Sequence, residues 1–118
     1  MERLTRRQDF VAAAKASYAA MPGMVVQVLD RKDDGHARVG FTATKKLGNA
    51  VVRNRVKRRL REVARLGLAA AALAGHDYVL IGRAPAMTRA FADLQSDLIS
   101  ALKRLHRRPH EAADKEGP

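Results

Sequence analysis

The chain has 118 residues, with 23 Lys and Arg against 12 Asp and Glu and a formal net charge of +11, a balance that suits one small domain with a polyanionic partner. It has no Cys, which excludes a disulfide framework and a thiolate metal site and fits a reducing, cytoplasmic setting. No window approaches 18 uninterrupted apolar residues, so no transmembrane helix is expected, and the charged start Met1 to Asp9 has no apolar signal core behind it.

A first helix is expected from Thr5 or Arg6 to about Ala16, with Phe10, Val11 and Ala14 toward one side. Pro22-Gly23 signals a turn. Residues 24–29 form a strand candidate, Asp33-Asp34-Gly35 reads as a hairpin-type turn, and residues 37–44 alternate well enough for a second strand. Gly48-Asn49 lets the chain turn into a helix, with Asn49 serving either as its N-cap or as a donor to phosphate or sugar. Gly67 suggests the end of that helix, and residues 68–73 read as a short Ala-rich helical piece that stops at Gly75. Residues 77–82 are a nearly continuous apolar run, as in an interior strand. Pro85 breaks the chain, and Thr88 suits the cap of a last helix running to about Arg107, with Phe91, Leu94, Leu98, Leu102 and Leu105 on one face. Residues 109–118 hold three acids, one Lys and no large apolar side chain, so they read as a disordered tail behind a single domain of residues 1–108. The organisation is α+β, with a small mixed sheet packed against helices.

Residues 45–65 hold nine of the 23 basic side chains and one acid, Glu62. On a helix over 52–66, Val52, Val56, Leu60, Val63 and Leu66 are expected on one face. The opposite face carries Arg53, Asn54, Lys57, Arg58, Arg61 and Arg65, and Arg55 and Arg59 flank the apolar stripe. Like charges four residues apart cost a few tenths of a kcal/mol per pair, which burial of the Val/Leu face offsets at ~1.5–3 kcal/mol per large side chain. The cationic row adds nothing to folding, and its use is binding phosphates. The alternative is a solvated basic face, but ordinary faces mix both signs.

The run from Gly40 to Glu62, with Lys45-Lys46-Leu47-Gly48-Asn49-Ala50-Val51 followed by Arg53-Asn54-Arg55, resembles the signature of the bacterial ribonuclease P protein subunit. Leu4-Thr5-Arg6, Asp9-Phe10 and residues 77–83 agree with that family in outline, so the resemblance covers roughly residues 3 to 107. It implies an α-β-β-β-α-β-α order in which the basic helix is the crossover between strands. It implies an accessory protein subunit of a ribonucleoprotein endoribonuclease. The RNA subunit carries the catalysis with Mg²⁺, and the product is the mature tRNA 5′ end. Its partners would be the ribonuclease P catalytic RNA and precursor tRNA. The family's RNA-facing motif corresponds to Lys45, Lys46, Asn49, Arg53, Asn54, Arg55, Lys57, Arg58, Arg61 and Arg65. A cleft between the first helix and the sheet would meet the 5′ leader of precursor tRNA through Phe10, with Arg6, Arg7, Lys15, Gln27 and Arg38 as further contacts. The sequence departs from the family at Ala14 and Gln27, where aromatic side chains are common, so stacking of leader bases is weakened.

A protein-side catalytic constellation is missing from the sequence. His106 and His110 have helical metal spacing, but Pro109 between them should end the helix. His36 and His76 read as surface residues beside a turn and a strand, and Asp33-Asp34 reads as turn chemistry. There is no nucleophile elbow, dinucleotide fingerprint or P-loop. The competing reading is a non-catalytic ribosomal or structured-RNA binding protein. A membrane-surface helix is disfavoured, because the aliphatic stripe is needed for the core.

Overall fold

The computed structural model describes the backbone of residues 1–116 and the side chains of residues 1–106. In chain order the elements are β1 (Glu2–Arg3), α1 (Arg7–Ala14), β2 (Ser17–Ala20), β3 (Met24–Asp30), β4 (Arg38–Thr42), α2 (Ala50–Ala71), β5 (His76–Gly82) and α3 (Phe91–Glu116). Short 3-10 turns at Lys45–Leu47 and Ala84–Met87 precede α2 and α3. Beyond the two-residue β1, this is the α-β-β-β-α-β-α order that the resemblance implies. The sheet is mixed, in the order β1-β4-β5-β3-β2. β4 is parallel to both β1 and β5, whereas β3 is antiparallel to β5 and β2. α2 is therefore the crossover between the adjacent parallel strands β4 and β5.

The two faces of the sheet are covered unequally. Met24 and Val26 on β3 and Tyr78 and Leu80 on β5 point to one face. They meet Val56, Leu60 and Val63 of α2 and Leu94 and Leu98 of α3, and all nine side chains are fully buried. On the other face α1 closes a smaller cluster of Leu4, Ala13 and Val79, against which Phe10, Leu29 and Ile81 pack. The period-two alternation of β3 and β5 feeds both clusters, which is why residues 77–82 read as continuously apolar.

Several expectations are corrected. The first helix ends at Ala14, not Ala16, and the Ala-rich segment after it turns into strand β2, paired with β3 from Ser17↔Val28 to Ala20↔Val25. The Pro22-Gly23 turn joins these two strands. Gly23 is needed there: a Cβ would stand 2.5 Å from Leu94 Cδ2, and its N–H donates to Asp97 Oδ2 at 2.9 Å. Asp33-Asp34-Gly35 does not make a hairpin, because β5 lies between β3 and β4. That loop instead folds back on the start of β5, where Gly75 N–H donates to Gly35 O at 2.7 Å. Gly67 does not stop α2, which continues to Ala71; Leu98 of α3 packs directly over it. The buried stripe of α2 runs through Val56, Leu60, Val63, Ala64 and Leu68. Leu66 is exposed, since it lies about 120° around the helix from Leu60. The last helix begins at Phe91, after a 3-10 turn where a Thr88 cap was expected, and its backbone continues past Arg107 and through Pro109 to Glu116, so Pro109 does not end it. The domain boundary at residue 108, the expected disordered tail of residues 109–118 and the side chain of His110 lie outside the fully described residues.

Two buried carboxylates tie loops to this frame. Asp77, 1% exposed, accepts from Arg31 Nη1 at 2.5 Å and from Arg38 Nε and Nη2 at 2.8 and 2.7 Å. Asp97 accepts from Arg89 at 2.8 and 3.0 Å as well as from Gly23. A buried charge is tolerated only with such partners.

Candidate nucleic-acid interface

The basic surface starts in the turn before α2. Gly48 has φ of +143°, a backbone that side-chain-bearing residues rarely adopt, and it redirects the chain from Lys45–Leu47 into the helix. Asn49 is the N-cap, its Oδ1 accepting from Val52 N–H at 3.0 Å. Its side-chain oxygen is thereby engaged in starting the helix. No acid occupies the first turn of α2, so the positive end of the helix dipole adds to Lys45, Lys46 and Arg53.

Along α2 the cations divide into three groups. Arg55, Arg58 and Arg61 are exposed and Arg53 and Lys57 half-buried, and none of the five has an acidic partner among the described residues. Arg53 also carries a buried Nε without a hydrogen-bond partner. Arg65 is exposed but bonded to Glu62 at 3.2 and 2.5 Å. That pairing raises the guanidinium and lowers the carboxyl relative to their ordinary values. Arg59 is different again: it donates to Ala86 O at 2.6 Å and Arg89 O at 2.7 Å, pinning the turn before α3. Asn54 is exposed beside the row. Lys45 and Lys46 are exposed at its head.

The residues expected to meet a leader strand are less uniform. Arg6 and Arg7 are exposed at the start of α1 and Lys15 at its end. Phe10 is half-buried, with its ring against Gly40 and Leu4: a Cβ on Gly40 would stand 2.6 Å from that ring. Gln27 is half-buried on β3, between Tyr18 of β2 and Val79 of β5. Arg38 is held by Asp77 and lies 3.6 Å from Asp9. The Asp77 hydrogen bonds raise its pKa above the usual arginine value.

One hollow joins the two predicted surfaces. It has a volume of about 320 Å³ and is lined by Thr5, Arg7, Phe10, Phe41, Thr42, Ala43 and Lys57. Arg7 and Phe10 of the leader set thus share a recess with Lys57 of the basic helix, whereas Arg6, Lys15, Gln27 and Arg38 do not line it. Sequence reasoning missed Thr5, Phe41 and Thr42. β1 pairs only with residues 38 and 39 of β4, so Phe41 and Thr42 form an open sheet edge. A Phe at the end of a strand and just before a lysine pair was the available signal. His76, expected at the surface, is half-buried at the start of β5. Its ring stacks with Tyr78, whose hydroxyl is 2.8 Å from His106 Nε2.

The family model described as Ribonuclease P matches residues 1–106. The ribonuclease P protein component of Caulobacter vibrioides is 52% identical over 102 residues, covering 86% of this chain and 68% of that protein. That of Ruegeria pomeroyi is 51% identical over 107 residues, covering 87% and 85%. Among solved structures, the Staphylococcus aureus RNase P protein superposes with a TM-score of 0.71 at 32% identity, covering 87% of this chain and 94% of that one. The RNase P protein of Thermotoga maritima gives 0.72 at 28% identity, with 88% and 97% covered. The match runs through both helical layers, the sheet and the basic crossover: the chain belongs to the ribonuclease P protein component family.

Proposed function

We propose that this protein binds the catalytic RNA of ribonuclease P and the 5′ leader of precursor tRNA, and so assists removal of the leader to give the mature tRNA 5′ end. One observation carries the reading: a 22-residue helix bears a row of cations, Arg53, Lys57 and Arg61, with no acidic partners among the described residues. Successive members stand about 6 Å apart along the axis, a spacing suited to consecutive phosphates. Arginine forks grip two phosphate oxygens each, and lysines act as point charges. The hollow that joins Arg7 and Phe10 to Lys57 lets a single strand pass from the basic helix onto the α1 side.

In this reading hydrolysis and its Mg²⁺ belong to the RNA subunit. Among the described residues no group of three or more His, Asp or Glu is placed to hold a metal ion, and no step is assigned to one on this chain. The protein lowers the repulsion between two RNAs: residues 1–108 hold 22 Lys and Arg against nine Asp and Glu, a net +13 where the whole chain has +11. Its place of work in this reading is the cytoplasm. No helix among the described residues is long and apolar enough to cross a membrane.

The test is reconstitution. Purified protein alone leaves precursor tRNA intact, and added to its cognate RNA at low Mg²⁺ it stimulates cleavage at the mature 5′ end. RNA-independent cleavage by nuclease-free protein would refute the division of labour. Recovery of bulk ribosomal RNA alone with the native protein would favour the ribosomal alternative.

A further inference from the structure

A second recess shares Phe41 with the Lys57 hollow. Its volume is about 290 Å³, and its walls include Arg3, Phe41, Arg61, Ala64, Arg65 and Ala69. We propose that it receives one unstacked base of the bound RNA, while Arg61 and Arg3 hold the phosphates on either side. The proposal rests on the RNA-binding reading above and adds a subsite to it.

Three features support that occupant. Apart from the three arginines the lining is apolar, made of Met1, Val39, Phe41, Ala64 and Ala69, and the space is ample for a planar heterocycle. The rim is cationic: three guanidinium groups line it, and among the described residues only that of Arg65 has an acidic partner, Glu62. A neutral apolar ligand gains nothing from such a rim, whereas a nucleotide uses both the apolar lining and the rim. The Arg3 guanidinium carbon lies over the Phe41 ring, 5.2 Å from its centre, so the recess already holds a cation–ring contact of the kind a base would share. The recess is also continuous with the basic row. Lys57 lines the first hollow and Arg61, one turn on, lines the second, and Phe41 lines both. An RNA strand following Arg53, Lys57 and Arg61 arrives at the opening.

The probe is a pair of RNA hairpins with identical stems. One carries a single bulged 2-aminopurine and the other an abasic bulge. The wild-type protein is expected to bind the first about tenfold more tightly and to change the 2-aminopurine fluorescence. Ala69→Leu plugs the recess from an exposed helix position and keeps a good helix former, and Ala69→Gln is a second plug. Both variants should bind the two hairpins equally, with wild-type affinity for the abasic one and unchanged melting temperatures. Lys57→Ala should weaken both hairpins by the same factor and keep the preference. Equal wild-type affinity for the two hairpins, or a preference that survives both plugs, overturns the subsite. Failure of the wild type to bind either hairpin at low salt instead refutes the RNA-binding reading, and the subsite with it.

Discussion

Replacing Arg53, Lys57 and Arg61 together with Ala tests whether the crossover helix meets RNA phosphates. Each phosphate contact contributes about 0.7–0.9 to the slope of log affinity against log salt. Loss of three should therefore flatten that slope by ~2–2.7 units. At roughly 1 kcal/mol per contact, the triple variant should bind about 150-fold more weakly at low salt. The deficit must then shrink as salt rises, because the wild type loses its advantage faster. Over a fourfold increase, such as 50 to 200 mM KCl, it should narrow by about 20- to 40-fold and leave a difference of severalfold. Fluorescence anisotropy with the cognate structured RNA at fixed Mg²⁺ reads both quantities. The fold should survive, because the buried stripe of Val56, Leu60, Val63, Ala64 and Leu68 is untouched. An unchanged salt slope in a variant with a normal thermal melt would remove α2 from the interface.

The neighbouring Arg59→Ala should show the reverse pattern. It loses the hydrogen bonds to Ala86 O and Arg89 O, so stability in urea should fall by about 1–3 kcal/mol with little change in salt slope. Asp77→Asn removes the charge shared by Arg31 and Arg38, whose side chains are 15% and 26% exposed, and should cost about 3 kcal/mol in the same denaturation assay. His106 is held below the ordinary histidine pKa by burial and then by the charge of His76. The unfolded chain therefore takes up that proton more readily, and melting temperature should fall as pH drops below about 6.5; His106→Gln should flatten the trend.

The elements with a strong internal pattern were legible in the sequence. α2, β5 and α3 each present one apolar face or run, and the charge on α2 has the same periodicity as its burial. Strand β2 was not legible: Ser17-Tyr18-Ala19-Ala20 has helical composition, and only pairing with β3 makes it a strand. Strand order was also hidden. Asp33-Asp34-Gly35 has hairpin chemistry, yet Asp33 serves Arg31 and the Gly35 N–H, and β5 arrives from forty residues downstream to take the middle place. Of the candidate interface, the helix row was readable from spacing alone. The pairing of Arg38 with Asp77 was hidden, because the two are 39 residues apart. Phe41 went unnoticed because its exposure depends on β1 ending at Arg3.

The central position of β5 has a consequence for how the chain comes off the ribosome. β3 and β4 flank a gap that only residues 76–82 fill. Until those residues emerge, the nascent chain holds two inner strand edges with no partner and an α2 whose apolar stripe has no complete sheet to cover. Local hairpin β2–β3 and helix α2 can form early, but the domain cannot close from its N-terminus in stages. Closure is expected as one late event that brings β5 between its neighbours, with the entropy of two long loops lost at that step. Nascent chains stalled before residue 76 should show at most weak, local protection in β2–β3 and α2, and those released past β5 should gain strong protection in β3, β4 and β5 at the same time.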